Sequence, residues 1–254
     1  MDSEFTKDKQ SNSDLFRSLA VGCTINNTSR IDFEKGVFRR VGEPTEAALK
    51  VLAEKICGNP STSANAFDFE KEMKSKIEII AKLDFTSERK AMSTVVTGYN
   101  NGKDMLLKGA PDRIMGKCTS YMSLSGKKQM TESDRQNFTT SINNLAAQGL
   151  RVLAIAEIPN AGALSSITLG NKQSLLGDIK KYSQYEQEAT LVGIVGIKDP
   201  IREEIKPAIQ DCYTAGIRVI MITGDSKETA MSIAKELDII NDSDDVNSCV
   251  FTGS

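Results

Sequence analysis

Apolar residues follow helical spacing in two stretches near the start of the chain. Residues 13–25 and 45–57 each place apolar side chains along one face, which predicts two amphipathic helices. The glycine, asparagine and proline at 58–60 predict the end of the second helix. Residues 36–43 alternate between apolar and polar, as a strand does, whereas residues 61–76 are polar and mixed, which predicts a surface connection.

The spacing becomes that of β-strands after residue 76. Residues 77–85, 91–98 and 104–109 are short, largely apolar runs, and they predict three consecutive antiparallel strands. Asn101 and Gly102 favour a tight turn, so we expect the second and third strands to form a hairpin.

Helical and strand patterns alternate after this hairpin. Residues 110–117 predict a short helix with a proline in its first turn, and residues 131–148 predict a longer, capped helix that ends at a glycine. Residues 150–158 are typical of a buried strand. The stretch 159–188 is rich in Gly, Ser, Asn, Gln and Lys, and we interpret it as a variable, loop-like insertion.

The last part of the chain combines continuous apolar runs with helical patterns. Residues 191–197 and 217–222 are typical of buried strands, and residues 201–215 and 226–237 of helices. This order predicts a β-α-β-α segment with parallel strands. Two such strands leave sheet edges unpaired, so we expect the sequence to be part of a longer protein.

Together these elements predict an α+β fold. An antiparallel β-sheet flanked by helices is expected over residues 15–190, and a partial Rossmann-like α/β segment over residues 191–254. The boundary falls near residues 189–200, where the strand pattern changes. Residues 1–14 are interpreted as a flexible end or as residues foreign to the natural protein.

Composition excludes several classes of function. Of the 254 residues, 39% are hydrophobic and 26% charged, as in globular proteins. The formal net charge of -2 gives no general electrostatic reason to bind nucleic acid or an anionic membrane. The chain has no histidine, which excludes histidine-based acid–base catalysis and histidine-ligated metal sites.

The apolar runs and the cysteines indicate the compartment. No apolar run approaches the roughly 18–20 residues that cross a bilayer, so we expect the chain as given to be soluble. The five cysteines are odd in number and include no C-x-x-C pair. This usage suits a reducing compartment such as the cytosol better than a disulfide framework.

The segment IMITGDSKETA, residues 220–230, lies where a predicted strand turns into a helix. Ligands bind at this edge of open α/β sheets, and the N–H groups of Gly224 and the helix start can receive a phosphate beside Asp225. A turn followed by a helix cap is the commoner meaning of an isolated Thr-Gly-Asp. The strand before it and the helix after it favour the phosphate site.

Three segments carry cations at predicted strand ends. In FTSERKAMS a base can stack on Phe85 while Lys90 faces a phosphate, although solvated charges in a strand connection give the same pattern. In QGLRVLAI the planar fork of Arg151 suits a polyphosphate, but an arginine at an exposed strand end is ordinary. In DMLLKGAPDRIM the strand ends on Lys108, which a lysine reaching for solvent explains equally.

Two further segments begin helices. In VGEPTEAA the carboxylates of Glu43 and Glu46 lie where the helix dipole favours negative charge, so capping alone explains them. In KDPIR, at the predicted boundary, Pro200 can simply begin a helix, whereas the position suits a hinge.

Taken together, the segments resemble the cytoplasmic nucleotide-binding domain of P-type cation-transporting ATPases. The resemblance rests on KGAP, F-x-S-x-R-K-x-M-S, VGEPTEAAL, GLRVLA, DPIR and MITGDSKETA in their present order and spacing. It covers the chain from about Leu15 to Gly253 and matches residues 159–188 poorly. The R-K-x-M-S and VGE-x-TE-x-A runs resemble calcium pumps of the sarcoplasmic or endoplasmic reticulum more than sodium/potassium pumps.

The resemblance implies a set of ATP-binding residues. Phe85 is expected to stack on adenine, with Glu46 hydrogen-bonded near the base and Lys108 closing the base end of the pocket. Lys90 is expected near the phosphates and Arg151 at the polyphosphate. The full expected set is Glu43, Thr45, Glu46, Phe85, Lys90, Met92, Lys108, Gly109, Arg151, Leu153, Thr223, Gly224 and Asp225.

The resemblance also implies a hinge, and the chain departs from the family at two places. Asp199, Pro200 and Arg202 match the hinge motif, in which Ile201 replaces a second proline. Reticulum pumps commonly have an arginine facing the phosphates where this chain has Ser87. Phosphate affinity is therefore expected to depend more on Arg151 and Lys90.

The chain lacks the sequences that complete catalysis in this family. It has no D-K-T-G, which would supply the phosphorylated aspartate, and no G-D-G-x-N-D, which completes the magnesium site. Thr223 and Asp225 are the expected contributors from the phosphorylation domain. We therefore expect binding of ATP with its Mg²⁺, no turnover and no metal site of the chain's own.

The whole protein implied by the resemblance is an ATP-driven calcium pump with an aspartyl-phosphate intermediate. It would be a multi-pass protein of the endoplasmic or sarcoplasmic reticulum membrane, with this domain facing the cytosol. Its partners would be ATP, the transported Ca²⁺ and the remaining phosphorylation, actuator and transmembrane domains. The chain itself is expected to be monomeric and to bind no nucleic acid.

Three alternatives differ in what they require. A phosphatase of the haloacid-dehalogenase type would need its own nucleophilic aspartate in a D-x-D or D-K-T context, and the sequence has none. A regulatory or scaffold domain could keep the fold and bind only proteins. A P-type pump for other cations, Na/K or Golgi Ca/Mn, would differ in membrane segments that the chain does not include.

Overall fold

The computed structural model describes residues 13–58, 68–198, 201–224, 227–241 and 243–251. The chain forms two compact units. The first comprises Met1–Arg135 and Leu153–Val195, and the second comprises Gln136–Val152 and Gly196–Ser254.

Nine strands are assigned among the described residues, and seven of them form one mixed sheet. The sheet order is β3-β4-β5-β8-β9-β6-β7, with β6 and β9 parallel, and β1 and β2 form a separate antiparallel pair. The strands are β1 Arg30–Glu34, β2 Val37–Val41, β3 Glu78–Thr86, β4 Ala91–Thr97, β5 Lys103–Gly109, β6 Cys118–Ser123, β7 Gly126–Gln129, β8 Arg151–Ile158 and β9 Ala189–Ile197.

Helices accompany the sheet, which confirms the predicted α+β fold. Buried aliphatic side chains on β4, β5 and β8 form the centre of the core. The α-helices are α1 Ser13–Ile25, α2 Pro44–Cys57, α3 Asp68–Lys76, α4 Pro111–Met115, α5 Glu132–Ala147, α6 Lys172–Leu176, α7 Tyr182–Tyr185, α8 Ile205–Thr214, α9 Lys227–Glu236 and α10 Val246–Cys249.

The predicted helices near the start and the three consecutive antiparallel strands are confirmed. The turn between β4 and β5 is not the expected two-residue turn, because Thr97 pairs with Lys103 and residues 98–102 form the connection. Gly98 turns the chain with a φ of 84°, and a side chain there would collide with the carbonyl of Lys76. The strand β1, and the pair β6–β7, were not predicted.

The expectation of a surface connection over residues 61–76 is wrong for its described part. Asp68–Lys76 is the helix α3, in which Phe69 and Met73 are buried one turn apart. Lys50 of α2 and Glu70 form a buried ion pair of 2.6 Å that joins α3 to α2. Residues 61–67 lie outside the described part.

Residues 159–188 also contain more structure than a loop-like insertion. Besides α6 and α7, the segment has 3-10 turns at Pro159–Leu164 and Ile179–Lys181. Leu164, Ile167 and Glu186 are buried in the first unit. These side chains are scattered along a polar sequence, so they give no periodic signal that sequence reasoning can detect.

The second unit lacks the predicted second parallel strand. Residues 217–222 form no strand, and Ile217, Ile220 and Ile222 are 56%, 68% and 92% exposed. A strand needs a hydrogen-bonding neighbour, and none of the described residues supplies one there. The predicted strand at 191–197 does form, as part of β9, but it belongs to the seven-stranded sheet.

One carboxyl group of the sheet makes stability depend on pH. Burial, reinforced by the nearby charge of Asp104, raises the pKa of Glu157 on β8 to about 7 from 4.5. The folded state therefore binds more protons than the unfolded state between these values, and stability is lost as the pH rises through them.

We expect Glu157→Gln to raise the free energy of unfolding by about 3 kcal/mol at pH 8, since the variant avoids burying a charge. At pH 4, Glu157 is largely protonated in both the folded and the unfolded wild type. The difference in stability between the variant and the wild type should therefore nearly vanish. Urea denaturation at the two pH values measures both quantities. A stabilisation that is the same at pH 4 and pH 8 would contradict the raised pKa of Glu157.

Candidate functional site

Three of the predicted site residues lie towards the same end of three adjacent strands. Met92 on β4 lies directly opposite Lys108 on β5. Phe85 lies near the end of β3, where the pairing with β4 shifts between Leu83 and Thr86. Antiparallel pairing therefore brings together residues that are up to 23 positions apart in the sequence.

Lys108 is buried and paired, with a side chain that is only 7% exposed. Its Nζ donates to Oε1 of Glu46 on α2 at 2.5 Å and to the carbonyl of Asn26 at 2.5 Å. Burial lowers the pKa of Lys108, and the charge of Glu46 opposes this change. An anionic ligand that reached this amine would have to share it with Glu46.

Glu46 is the centre of a hydrogen-bond network. Its Oε2 accepts hydrogen bonds from the N–H of Thr28 at 2.8 Å, from the hydroxyl of Thr28 and from the N–H of Ser29 at 3.1 Å. Burial acts to raise the pKa of Glu46, but Lys108 and the bonds from Thr28 outweigh it, so the pKa lies below its usual value. The ionised carboxylate thus ties the loop before β1 to the end of β5.

The predicted site residues Glu43 and Thr45 lie at the start of α2. Glu43 occupies the position before the helix, is exposed, and makes no capping hydrogen bond with its side chain. Its carbonyl oxygen accepts a bond from the hydroxyl of Ser29 at 2.9 Å. Thr45 is half-buried. Side-chain capping, the structural alternative for Glu43, is therefore not what the structure shows.

The turn between β3 and β4 carries the exposed members of the site. Phe85 is 60% exposed, and Lys90 is exposed in a left-handed conformation with a φ of 48°. The N–H of Lys90 donates to the carbonyl of Thr86 at 2.7 Å, and its own carbonyl accepts from Ala110 at 2.9 Å. The first bond closes the turn, and the second holds the turn against the residue that follows β5.

Gly109 is needed because the turn approaches β5 closely. A Cβ at this position would collide with the carbonyl of Lys90 and lie 2.8 Å from the Cα of Ala91. Met92, another residue of the predicted ATP-binding set, is 3% exposed, and its carbonyl oxygen accepts a hydrogen bond from the side chain of Asn26 at 3.0 Å.

The remaining predicted residues lie elsewhere or outside the described part. Leu153 is half-buried on β8 in the first unit. Arg151, Arg202, Thr223 and Gly224 belong to the second unit, so their roles in one site stay predictions. Asp199, Pro200 and Asp225 lie outside the described residues.

Sequence reasoning missed four residues that shape the site. Asn26 forms hydrogen bonds with Met92 and Lys108, and Thr28 forms one with Glu46. The only signal for these two residues in the sequence is the polar run N-N-T-S directly after an apolar helix. Arg89 and Glu186 form a buried ion pair beneath the β3–β4 turn. Arg89 adjoins Lys90, but nothing in the sequence links it to a glutamate 97 positions later.

A separate depression of about 440 Å³ lies against α2 and contains none of the predicted site residues. It is bounded by Ile31, Phe38, Arg40, Ala47, Ala48, Val51 and Glu54. The site described above combines the exposed side chains of Phe85 and Lys90 with the buried Met92 and Lys108 at the strand ends. Phe85 is 60% exposed, so its side chain is accessible to a ligand.

Two kinds of feature are absent from the described part of the chain. Its Asp, Glu and Cys side chains form no group of three or more that could hold a metal ion. Within the same residues, no helix is both long enough and apolar enough to cross a membrane.

Comparison with known proteins identifies the family. The model of the P-type ATPase cytoplasmic domain N matches residues 15–204. The chain is 33% identical, over 93% of its length, to the endoplasmic reticulum-type calcium-transporting ATPase 2 of Arabidopsis thaliana. It is 32% identical, over 95% of its length, to the endoplasmic reticulum calcium ATPase srcA of Aspergillus fumigatus. The chain spans about a quarter of the length of these relatives, 24% of the first and 26% of the second. The chain therefore belongs to the P-type ATPase family, in which its residues 15–204 correspond to the cytoplasmic domain N.

Proposed function

We propose that this chain binds ATP and presents it to the other domains of a P-type calcium pump. The observation that carries the proposal is the grouping of Phe85, Met92 and Lys108 on adjacent strands, with Glu46 bound to Lys108, in a chain that belongs to the domain N family. Residues 15–190 are assigned to the nucleotide-binding domain, and residues 191–254 to the hinge and part of the phosphorylation domain.

The chemistry of the described residues suits a nucleotide. The exposed ring of Phe85 offers a stacking surface for adenine, and the ammonium group of Lys90 lies five positions away on the same turn, where it can neutralise phosphate charge. Lys108, which lies opposite Met92 at the same strand ends, pairs with Glu46, and together they could supply a donor and acceptors to the base. Such a site orients ATP without reacting with it.

Phosphoryl transfer depends mainly on positioning and charge neutralisation, so a domain that holds ATP makes a sufficient contribution. In the whole protein, the γ-phosphate would pass to an aspartate of the phosphorylation domain, with Mg²⁺ bound to the nucleotide. Arg151, Leu153, Thr223, Gly224 and Asp225 are proposed to complete the contacts, with Asp199, Pro200 and Arg202 as the hinge.

The relatives indicate the ion and the membrane. Both are named as calcium ATPases of the endoplasmic reticulum. We therefore propose that the whole protein transports Ca²⁺ across the endoplasmic or sarcoplasmic reticulum membrane, with this domain in the cytosol. Its partners would be the remaining phosphorylation domain, the actuator domain and the transmembrane domain.

A titration of the purified chain with ATP, followed by NMR chemical shifts, tests the proposal. We expect saturable shifts in residues of the β3–β4 turn and no release of phosphate. Phe85→Ala should weaken ATP binding by about 1–3 kcal/mol, the usual contribution of a base stacked on an aromatic ring. Its stability should change little, since the ring is 60% exposed.

Phe38→Ala is the matched control, because Phe38 is also an exposed aromatic residue, 45% accessible, on the separate strand β2. This variant should bind ATP as the wild type does. The proposal fails if ATP shifts no resonance at concentrations of tens of millimolar, or if the two phenylalanine variants lose affinity equally.

A further inference from the structure

Glu186 is a charged residue with no exposed surface. It lies just after α7, in the segment that the sequence predicts to be a variable insertion. Its Oε1 accepts hydrogen bonds from Nη1 of Arg89 and from the hydroxyl of Ser93, and its Oε2 lies 3.1 Å from Nζ of Lys117. A buried carboxylate therefore bridges two buried cations, whose side chains are 6% and 8% exposed.

Arg89 connects this carboxylate to the β3–β4 turn. Its Nη2 donates to the carbonyl of Leu83 at 3.0 Å and to the carbonyl of Asp84 at 2.5 Å. The guanidinium group also lies 5.2 Å from the centre of the Tyr182 ring, which belongs to the same segment as Glu186. Arg89 thus holds the backbone directly before Phe85, and Glu186 holds Arg89.

The other side of the turn is fastened separately, through the backbone bonds of Lys90 to Thr86 and Ala110. The exposed ring of Phe85 and the ammonium group of Lys90 belong to the stretch of chain that these two sets of bonds hold. The pairing of β3 with β4 is irregular between Leu83 and Thr86, so regular strand bonding does not fix Phe85. The side chain of Arg89 supplies the bonds that the irregular ladder lacks.

We infer that Glu186 is a positioning residue for the nucleotide site. It acts through Arg89, whose fork fixes the backbone of Leu83 and Asp84 and thereby the place of Phe85 and the turn that carries Lys90. The inference rests on the proposed ATP binding and adds to it a residue from outside the recognised motifs. The planar, forked guanidinium group is needed here, because a single cation must bond to two backbone carbonyl groups and to the carboxylate of Glu186 at the same time.

Glu186→Gln removes the charge and keeps the volume, and Arg89→Lys keeps both charges but cannot make all of the bonds of the guanidinium group. We expect each variant to weaken ATP binding about tenfold, since a misplacement on the order of 1 Å has large effects on a bound ligand. We also expect faster hydrogen exchange at the N–H of Lys90, which reports the order of the turn without ATP.

Glu70→Gln is the matched control, because Glu70 belongs to another buried ion pair of this unit, and its ion pairs are with Lys50 and Lys74 rather than with the turn. It should lower thermal stability but leave ATP affinity and exchange at Lys90 unchanged. If Glu186→Gln does not fold, Arg89→Lys decides, because its charges are conserved.

The inference is overturned if Arg89→Lys lowers stability while ATP affinity and exchange at Lys90 stay at wild-type values, since Glu186 and Arg89 would then only stabilise the fold. Failure of the wild-type chain to bind ATP would instead overturn the proposed function. In that case, hydrogen exchange at the N–H of Lys90 still decides whether Glu186 holds the turn. Faster exchange in the variants than in the wild type supports this role, and unchanged exchange refutes it.

Discussion

Lys108→Met is expected to lower the free energy of unfolding of the first unit by about 3–5 kcal/mol, the usual cost of removing one partner from a buried ion pair. The methionine would fill most of the volume of the lysine side chain, but Glu46 would lose its counter-charge while it remained largely buried. The carbonyl of Asn26 would lose its donor as well. The same variant should weaken ATP binding by about 1–3 kcal/mol if the amine also contacts the nucleotide.

Two other variants separate these effects. Lys50→Met breaks the comparable pair of Lys50 with Glu70, so it should destabilise the unit similarly and leave ATP affinity unchanged. Adding Glu46→Gln to Lys108→Met should recover part of the stability, because no buried charge is then left unpaired. Urea denaturation and ATP titration of the variants measure both quantities. A loss of stability below about 1 kcal/mol for Lys108→Met would show that the pair is not the buried contact described above.

The pairing of Lys108 with Glu46 also limits how much of the site the sequence could predict. The alternating and apolar patterns of residues 77–109 were sufficient to place β3, β4 and β5 side by side, and therefore Phe85 near Met92 and Lys108. The partners of Lys108 come from α2 and from the loop after α1. Contacts of this kind depend on how helices pack on the sheet, which local patterns do not specify.

The same distinction explains the errors in the fold. Phe69 and Met73 are two apolar residues in a strongly charged stretch, too few for a periodic signal, yet they are enough to pack α3. Residues 217–222 show the opposite case, because an apolar β-branched run is present but has no strand beside it among the described residues. The pattern of apolar residues shows which secondary structure a segment favours, whereas the pairing of strands depends on residues that are distant in the sequence.

Gly109→Ala is expected to destabilise the first unit by about 3 kcal/mol, because the added methyl group would be forced into the backbone of the neighbouring turn. Gly109 pairs with Ala91 at the end of β5, and a Cβ there would collide with the carbonyl of Lys90. Backbone atoms cannot rotate away as a side chain can. The strands would have to separate where the turn carrying Phe85 and Lys90 begins, so ATP affinity should fall together with stability.

Gly116→Ala provides the control with the opposite sign. Gly116 has a φ of -63° and ψ of -20°, which alanine adopts readily, and a Cβ would lie 3.5 Å from the nearest atom, the carbonyl oxygen of Asp112. This substitution should stabilise the unit by about 0.4–1 kcal/mol through the unfolded state. Thermal unfolding of the two variants, with ATP titration at a temperature where both are folded, tests the pair of predictions. If Gly109→Ala were as stable as Gly116→Ala, the close approach of the turn to β5 would be incorrect, and the glycine in K-G-A-P would need another explanation, such as direct contact with the nucleotide.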